Sequence, residues 1–398
     1  MRTLVILRGN YFYGQEEFIA QNKLEDYLLD LDHLRFLANG YHYLSNGFKS
    51  LNYSSISVVL QSLFDFLQMR MQKGEFCVVH SYILNNSLLK RYKDLCDKYR
   101  YQFYIIDFQG SLEQTRHINL QRAQTSGVFI PEQVLYEVDR RLREERIPKK
   151  YKILDPENFE TILYQIHDLS SYKKIHHIGD IQGCFSVLKK AIPSIRKDEF
   201  YIFLGDYLDR GIENGKVLKW LLKIKDLPNV VFLEGNHERH LIQWARGENS
   251  NSKEFNENTI KDLKKEKLAP KDARSFYPLL KECFYYKFHE KKVFCSHGGL
   301  NYFPKEARYL SFIPSHELIM GVGGYEESKI VAEQFCLNTD TQTYELFGHR
   351  NRLKLPIKIA DRVFLCEGKV DAGGHLRIVS LNKNGFEGIE VKNNVYKK

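Results

Sequence analysis

Five short segments, each containing glycine, carry the residue types that bind cations and move protons. They are Gly179-Asp180-Ile181-Gln182-Gly183, Gly205-Asp206-Tyr207-Leu208-Asp209-Arg210-Gly211, Gly235-Asn236-His237-Glu238, Ser296-His297-Gly298-Gly299 and Gly348-His349-Arg350. Three oxygen donors, Asp180, Asp206 and Asn236, with two imidazoles, His297 and His349, form a donor set for a borderline-hard divalent ion such as Mn²⁺, Fe²⁺ or Zn²⁺. The chemistry open to such a set is Lewis-acid activation at an anionic centre. A lone Asp or His at a strand end more often makes a structural hydrogen bond, so the five segments point to metal chemistry only together.

Convergence requires elements that deliver these side chains to one place. Apolar runs at Lys174–Ile178, Phe200–Leu204, Val230–Leu233, Val293–Ser296 and Glu345–Phe347 read as buried strands, and each ends at one of the polar clusters. Strands of one sheet present their ends along one edge, and glycine lets the chain turn sharply beside a ligand. His176 and His177, inside the first of these strands, read as ordinary strand residues. Residues 240–291 read as a mostly helical polar insertion, placed as a cap over the strand ends.

The first half shows the same alternation. Thr3–Leu7, Cys77–Val79 and Phe103–Ile106 read as strands, with amphipathic stretches at Leu63–Met71, Leu88–Leu95 and Glu132–Glu144, which predicts a parallel sheet in an α/β domain. A charged stretch at Arg146–Tyr151 and a helical pattern over Phe159–His167 follow, so residues 149–172 are expected to link domains at 1–148 and 173–398. The 398 residues, 43% hydrophobic and 27% charged, exclude a largely disordered chain. A net charge of +9, with its Lys and Arg dispersed, favours an anionic substrate without marking a nucleic-acid-binding arm. Seven cysteines without a C-x-x-C pair fit reduced thiols better than a disulfide framework. Neither a signal peptide nor a membrane span is read, and a cytoplasmic location is expected.

The five segments in this order resemble the calcineurin-like metallophosphoesterases, whose pattern is GDxHG, GDxxDRG, GNHE, HGG or HAG, and GH. The resemblance covers about the last 225 residues and includes Val370-Asp371-Ala372-Gly373-Gly374 before a final strand pair. It implies an α/β/β/α sandwich and two divalent ions, Mn²⁺ foremost with Fe or Zn as alternatives. Asp180 and Asp206 would serve metal one, and Asp206 would bridge to metal two, completed by Asn236, His297 and His349. It also implies His237, oriented by Asp209, as general acid, with Arg210, Asn236 and Arg350 on the phosphate. Gln182 stands where the family has a histidine ligand of metal one, so that ion is expected to bind weakly and a phosphodiester to be favoured over a monoester.

Gly9-Asn10-Tyr11-Phe12-Tyr13-Gly14-Gln15-Glu16 has the glycine spacing of a phosphate-binding loop, but Gln15 replaces its lysine and Glu16 its Ser or Thr. Glu16 and Glu17 would also repel phosphate from the helix N-terminus. The domain nonetheless resembles the kinase half of bacterial polynucleotide kinase-phosphatases. Asp32 and Arg35 match the pair that binds the acceptor end there, and Arg116, Asn119 and Arg122 match the lid. With the loop's Lys and Ser or Thr missing, the resemblance implies a pseudokinase that lacks kinase activity and holds a nucleic-acid end; the family's ligase-type third domain is not expected in this chain. An unrelated Asp32–Arg35 salt bridge is an equal reading.

Three functions stay open on the sequence. The first is a phosphohydrolase acting on nucleic-acid ends or nucleotides in RNA or DNA repair. The second is a protein Ser/Thr phosphatase or dinucleoside polyphosphate hydrolase. The third is a binding or scaffold protein with decayed sites.

Overall fold

A computed structural model describes residues 1–82 and 84–395. The chain forms two compact units, Met1–Tyr164 with Arg308–Ser315, and Gln165–Ala307 with His316–Lys398.

In the first unit, five parallel strands lie in the order Leu28–Asp30, Cys77–His80, Thr3–Arg8, Gln102–Asp107 and Lys152–Leu154. The central run Leu4–Leu7 is apolar throughout because both faces are covered. Leu4 and Ile6 pack with Leu63, Leu67 and Met71, whereas Val5 and Leu7 pack with Phe18, Ile19 and Phe159. The segment expected as linker is thus partly built into this unit: Lys152–Leu154 is its edge strand, and a 3₁₀ turn at Pro156–Ile162 buries Phe159. The helix read over Phe159–His167 is absent. Its apolar residues serve one tight turn, and His167–Asp168 is a strand pairing with Cys283–Phe288 in the second unit. Segment 308–315 joins the first unit through Phe312, which stacks on Tyr27 at 4.7 Å. A short hairpin, Tyr41–Tyr43 with Lys49–Leu51, was not legible, since its six residues carry almost no apolar alternation.

The second unit stacks two six-stranded sheets. One runs Leu280–Lys281, Val230–Leu233, Glu199–Phe203, Lys174–Ile178, His375–Asn382 and Gly385–Lys392, parallel across the first four strands and antiparallel for the last two. The other runs Lys358–Ala360, Val363–Leu365, Thr343–Phe347, Lys291–Ser296, Cys283–Phe288 and His167–Asp168. Ile175, Ile202 and Leu204 of the first meet Tyr286, Val293, Cys295 and Leu346 of the second in one buried layer. Helices Phe185–Ala191 and Asn214–Ile224 cover one outer face, and Ser328–Asn338 covers the other, giving an α/β/β/α sandwich.

The insertion is helical only as far as Leu279. Cys283–Phe288 and Lys291–Ser296 form an antiparallel pair, because alternating Phe284, Tyr286 and Phe288 supply a strand's buried face. Phe255, Leu263, Ala273 and Phe276 pack into the core between the first sheet and its helices, which anchors the helical part of the insertion. All seven cysteines are free thiols. Among the described residues, no helix is long and apolar enough to cross a membrane.

Candidate active site

Strands that run parallel release their ends at one edge. Lys174–Ile178, Glu199–Phe203 and Val230–Leu233 are parallel neighbours that lead into Asp180, Asp206 and Asn236. Lys291–Ser296 and Thr343–Phe347, parallel neighbours in the other sheet, lead into His297 and His349. The turns are tight, and Gln182, Asp206, Asp209, Arg210 and His349 all have positive φ, between 44° and 83°. Such strain in non-glycine residues costs about 1–3 kcal/mol each and persists only where the surroundings enforce it. Gly205 shows how little room there is: with φ 105°, a Cβ there would lie 2.6 Å from the Gly235 nitrogen and 2.9 Å from His297 Nδ1.

Asp206, His297 and His349 each offer a ligand atom within 4.8 Å of the others. His297 Nε2 lies 3.3 Å from Asp206 Oδ1 and 3.2 Å from Asn236 Oδ1. His297 Nδ1 faces the Leu204 carbonyl at 2.8 Å, which fixes the ring with Nδ1–H donating; against burial, Asp206 raises the His297 pKa, so a cation bound at Nε2 would displace a proton there. Burial and the adjacent His297 bring the His349 imidazole down to about 3, the neutral form that ligation requires. His297 holds Asp206 below the ordinary carboxylate range against the effect of burial.

Asp180 accepts the His349 amide at 3.2 Å on both carboxylate oxygens. Burial pushes its carboxyl well up, and Glu367 and Asp206 push the same way. Glu367, itself buried, is in hydrogen-bond contact with Asp180, so two acids touch and a third stands close. Gln182 is 2% exposed, and its Oε1 has no hydrogen-bond partner among the described residues. A buried orphan acceptor costs about 1–3 kcal/mol. Crowded acids and an unused amide oxygen are the signature of a place that a cation completes, so the residues present fit a divalent ion on this side as well.

Beside these ligands, His237 Nδ1 meets Asp209 Oδ2 at 2.8 Å, and the His237 amide donates to Asp206 Oδ1 at 3.0 Å. Burial lowers the His237 pKa, but the Asp209 hydrogen bond and the Asp206 charge outweigh it and raise the net value. Asp209 Oδ1 takes the hydroxyl of Thr259 at 3.0 Å. Glu238 is a strut under the site: its carboxylate accepts the amides of Asp206 at 2.8 Å, Tyr207 at 3.0 Å and Gly235 at 2.8 Å. Arg210 is exposed beside this group. Arg350, expected on the phosphate, is instead buried, with its guanidinium donating to the carbonyls of Val322, Gly323 and Gly324. That loop continues to Tyr325, whose hydroxyl donates to the His349 carbonyl at 2.9 Å.

His176 and His177 lie away from this edge, bonded to Ser380 and Glu199, and to Val379 and Tyr286. Glu238, Thr259, Tyr325 and Glu367 escaped the sequence reading. Glu367 alone left a usable signal: it closely follows Val363–Leu365, one more apolar strand ending in a polar residue.

In the first unit, Gln15 is buried and closes the loop on itself, donating from Nε2 to the Asn10 carbonyl at 2.9 Å and accepting the Tyr13 amide at 3.0 Å. Arg122 grips Glu16 with one nitrogen at 2.7 and 2.9 Å from its two oxygens, Arg116 pairs with Glu132 at 2.6 Å, and Asn119 holds the Ile130 backbone. Asp32 is ion-paired with Arg35 and accepts the Tyr82 hydroxyl at 3.0 Å, lining a 410 Å³ cavity with Tyr11, Tyr53 and His80.

Similarity to known proteins follows the second unit. A bis(5'-nucleosyl)-tetraphosphatase (symmetrical) of Legionella pneumophila (strain Lens) is 23% identical over 201 residues, covering 49% of this chain and 69% of the relative. One from Buchnera aphidicola subsp. Acyrthosiphon pisum (strain 5A) is 32% identical over 136 residues, which span 32% of this chain and only 44% of the relative. Among solved structures, a protein serine/threonine phosphatase from Saccharomyces cerevisiae aligns with a TM-score of 0.41 at 14% identity, over 73% of this chain and 98% of that one. The calcineurin-like phosphoesterase pattern matches residues 173–375, about half of the sequence, and the chain belongs to that family.

Proposed function

We propose that the second unit hydrolyses phosphate esters of nucleotides or nucleic-acid ends. The observation that carries the reading is the meeting of Asp206, from a strand end of one sheet, with His297 and His349, from strand ends of the other, with the His237–Asp209 pair beside them. Asp206, Asn236, His297 and His349 would hold one divalent ion, and Asp180, Gln182, Glu367 and the shared Asp206 a second. When bound, such ions polarise the phosphoryl group and activate water. His237, with Nδ1 committed to Asp209, presents Nε2 to protonate the leaving oxygen. Asp209 keeps that tautomer and steadies the charge. Arg210, exposed at the rim, donates to phosphate oxygens.

The first unit is proposed to be a polynucleotide-kinase-like domain that has lost phosphotransfer. Its support is the self-closed loop: Gln15 is bonded to the Asn10 carbonyl and the Tyr13 amide, and Glu16 occupies Arg122. Its Asp32 cavity is proposed to hold the nucleic-acid end. A second reading, hydrolysis of dinucleoside tetraphosphates, is favoured by the names of the two bacterial relatives.

Steady-state assays with Mn²⁺ on a nucleotide 3'-phosphate, a 2',3'-cyclic phosphate, a dinucleoside tetraphosphate and a phosphopeptide separate the readings. Turnover of the first two ahead of the others is expected, and turnover of the phosphopeptide alone contradicts the proposal. In the same assays, Gln182→His is expected to raise the monoester-to-diester rate ratio, because an imidazole strengthens the weaker ion and better offsets a doubly charged monoester. An unchanged ratio counts against that role for Gln182.

A further inference from the structure

The helical insertion reaches the proton donor through one side chain. Asp209 has two carboxylate oxygens with different tasks: Oδ2 is 2.8 Å from His237 Nδ1, and Oδ1 receives the Thr259 hydroxyl at 3.0 Å. The Asp209 backbone is pinned separately, at φ 83°, by its amide donating to Asn214 Oδ1 at 2.7 Å, while Asn214 Nδ2 donates to the Gly211 carbonyl at 2.7 Å. Backbone position alone does not fix a carboxylate, which can still turn about its terminal torsion. The Thr259 hydroxyl removes that freedom.

Thr259 is itself rigidly placed. It is fully buried and ends a π-helical turn, Phe255–Thr259, that runs directly into the helix Ile260–Lys265. Single π turns within α-helices redirect side chains and recur at functional sites. Phe255 and Leu263 anchor the turn in the core, and Asp262 Oδ2 accepts the Gly215 amide at 2.8 Å, clamping the segment to the neighbouring helix. His240, a second polar side chain of the insertion near Asp209, has its Nδ1 engaged by Ser250 Oγ at 2.8 Å and its Nε2 by Arg239 Nε at 3.4 Å. Among the described side chains of the insertion, Thr259 is therefore the one seen to hold the Asp209 carboxylate.

We infer that Thr259 is a positioning residue for proton delivery: by fixing the Asp209 carboxylate it keeps His237 Nε2 aimed at the leaving oxygen, and so couples the insertion to catalysis. The inference rests on the phosphoesterase reading above. A positioned acid matters most when the leaving group is a poor one, since a good leaving group departs with little protonation.

The test compares phenyl phosphate with p-nitrophenyl phosphate as substrates for full-length wild type, Thr259→Val, Thr259→Ser and each change combined with His237→Ala, all with Mn²⁺. Thr259→Val, nearly isosteric, is expected to lower the phenyl-to-p-nitrophenyl kcat ratio roughly tenfold or more, the scale of a hydrogen bond to a charged group. Thr259→Ser is expected to restore the ratio, and Thr259→Val is expected to add nothing once His237 is gone. Equal losses on both substrates, or full additivity with His237→Ala, overturn the inference and leave the enzyme reading standing. Where only diesters turn over, the same ratio is read from methyl phenyl and methyl p-nitrophenyl phosphate; a wild type that hydrolyses neither the monoesters nor these diesters removes the phosphoesterase reading, and this inference with it.

Discussion

Asp206→Asn is expected to abolish hydrolysis, lowering kcat by about a thousandfold or more, while the fold survives. Asp206 is the residue on which the site's contacts converge: one oxygen lies 3.3 Å from His297 Nε2 and accepts the His237 amide, and its backbone carbonyl accepts the amides of Ile181 and Gln182. Replacing the carboxylate by an amide keeps size and most hydrogen bonds but removes the charge that would hold divalent cations at this site. Loss of a single oxyanion-stabilising donor already costs about 10²–10³ in rate, and loss of a bridging charge removes more. The check is kcat with saturating Mn²⁺, beside a thermal melt. Activity within about tenfold of wild type would mean that the chemistry happens elsewhere.

Glu238→Ala is expected to have the largest effect on stability. The carboxylate answers three buried amides at once, those of Asp206, Tyr207 and Gly235. Burial, with the nearby Asp206 charge, pushes its own pKa up to about 7, so the group is held in place against an electrostatic cost. Alanine leaves three donors without a partner, at about 1–3 kcal/mol each, against a total stability of about 5–15 kcal/mol for an ordinary domain. The second unit is expected to lose more than about 10 °C of melting temperature or to fail to fold. Thermal unfolding of wild type and variant measures this. A shift below about 2 °C would show that water or backbone movement satisfies the three amides.

The strand ends were legible because their signal is local. An apolar run that stops at Gly-Asp, Gly-Asn or Gly-His states both where the strand ends and what it delivers, and Asp180, Asp206, Asn236, His297 and His349 lie where such runs end. Relations between distant residues were not legible. Thr259 meets Asp209 across 50 positions of sequence, and Glu238 meets Asp206 across 32, with nothing in the intervening chain to announce either contact. Arg350 illustrates the opposite error: its place beside His349 suggested phosphate, but its side chain turns inward to hold the loop that carries Tyr325.

The stretch from 149 to 172 was misread for a different reason. Its charged opening looked like a connector, yet three residues are enough for an edge strand when the neighbouring strand supplies the hydrogen bonds, as Gln102–Asp107 does for Lys152–Leu154. In the first unit, Gln15 closes the loop between Thr3–Arg8 and Gln15–Asn22 by contacts to the loop's own backbone, a bonding pattern that its glycine spacing does not announce.

Anomalous diffraction from crystals of the full chain soaked in Mn²⁺ tests the central claim most directly. Two peaks are expected at the sheet edge: a strong one among Asp206, Asn236, His297 and His349, and a weaker one among Asp180, Gln182, Glu367 and the shared Asp206. No peak within ligand distance of His297 and His349, in crystals of protein that hydrolyses phosphate esters, would contradict the account.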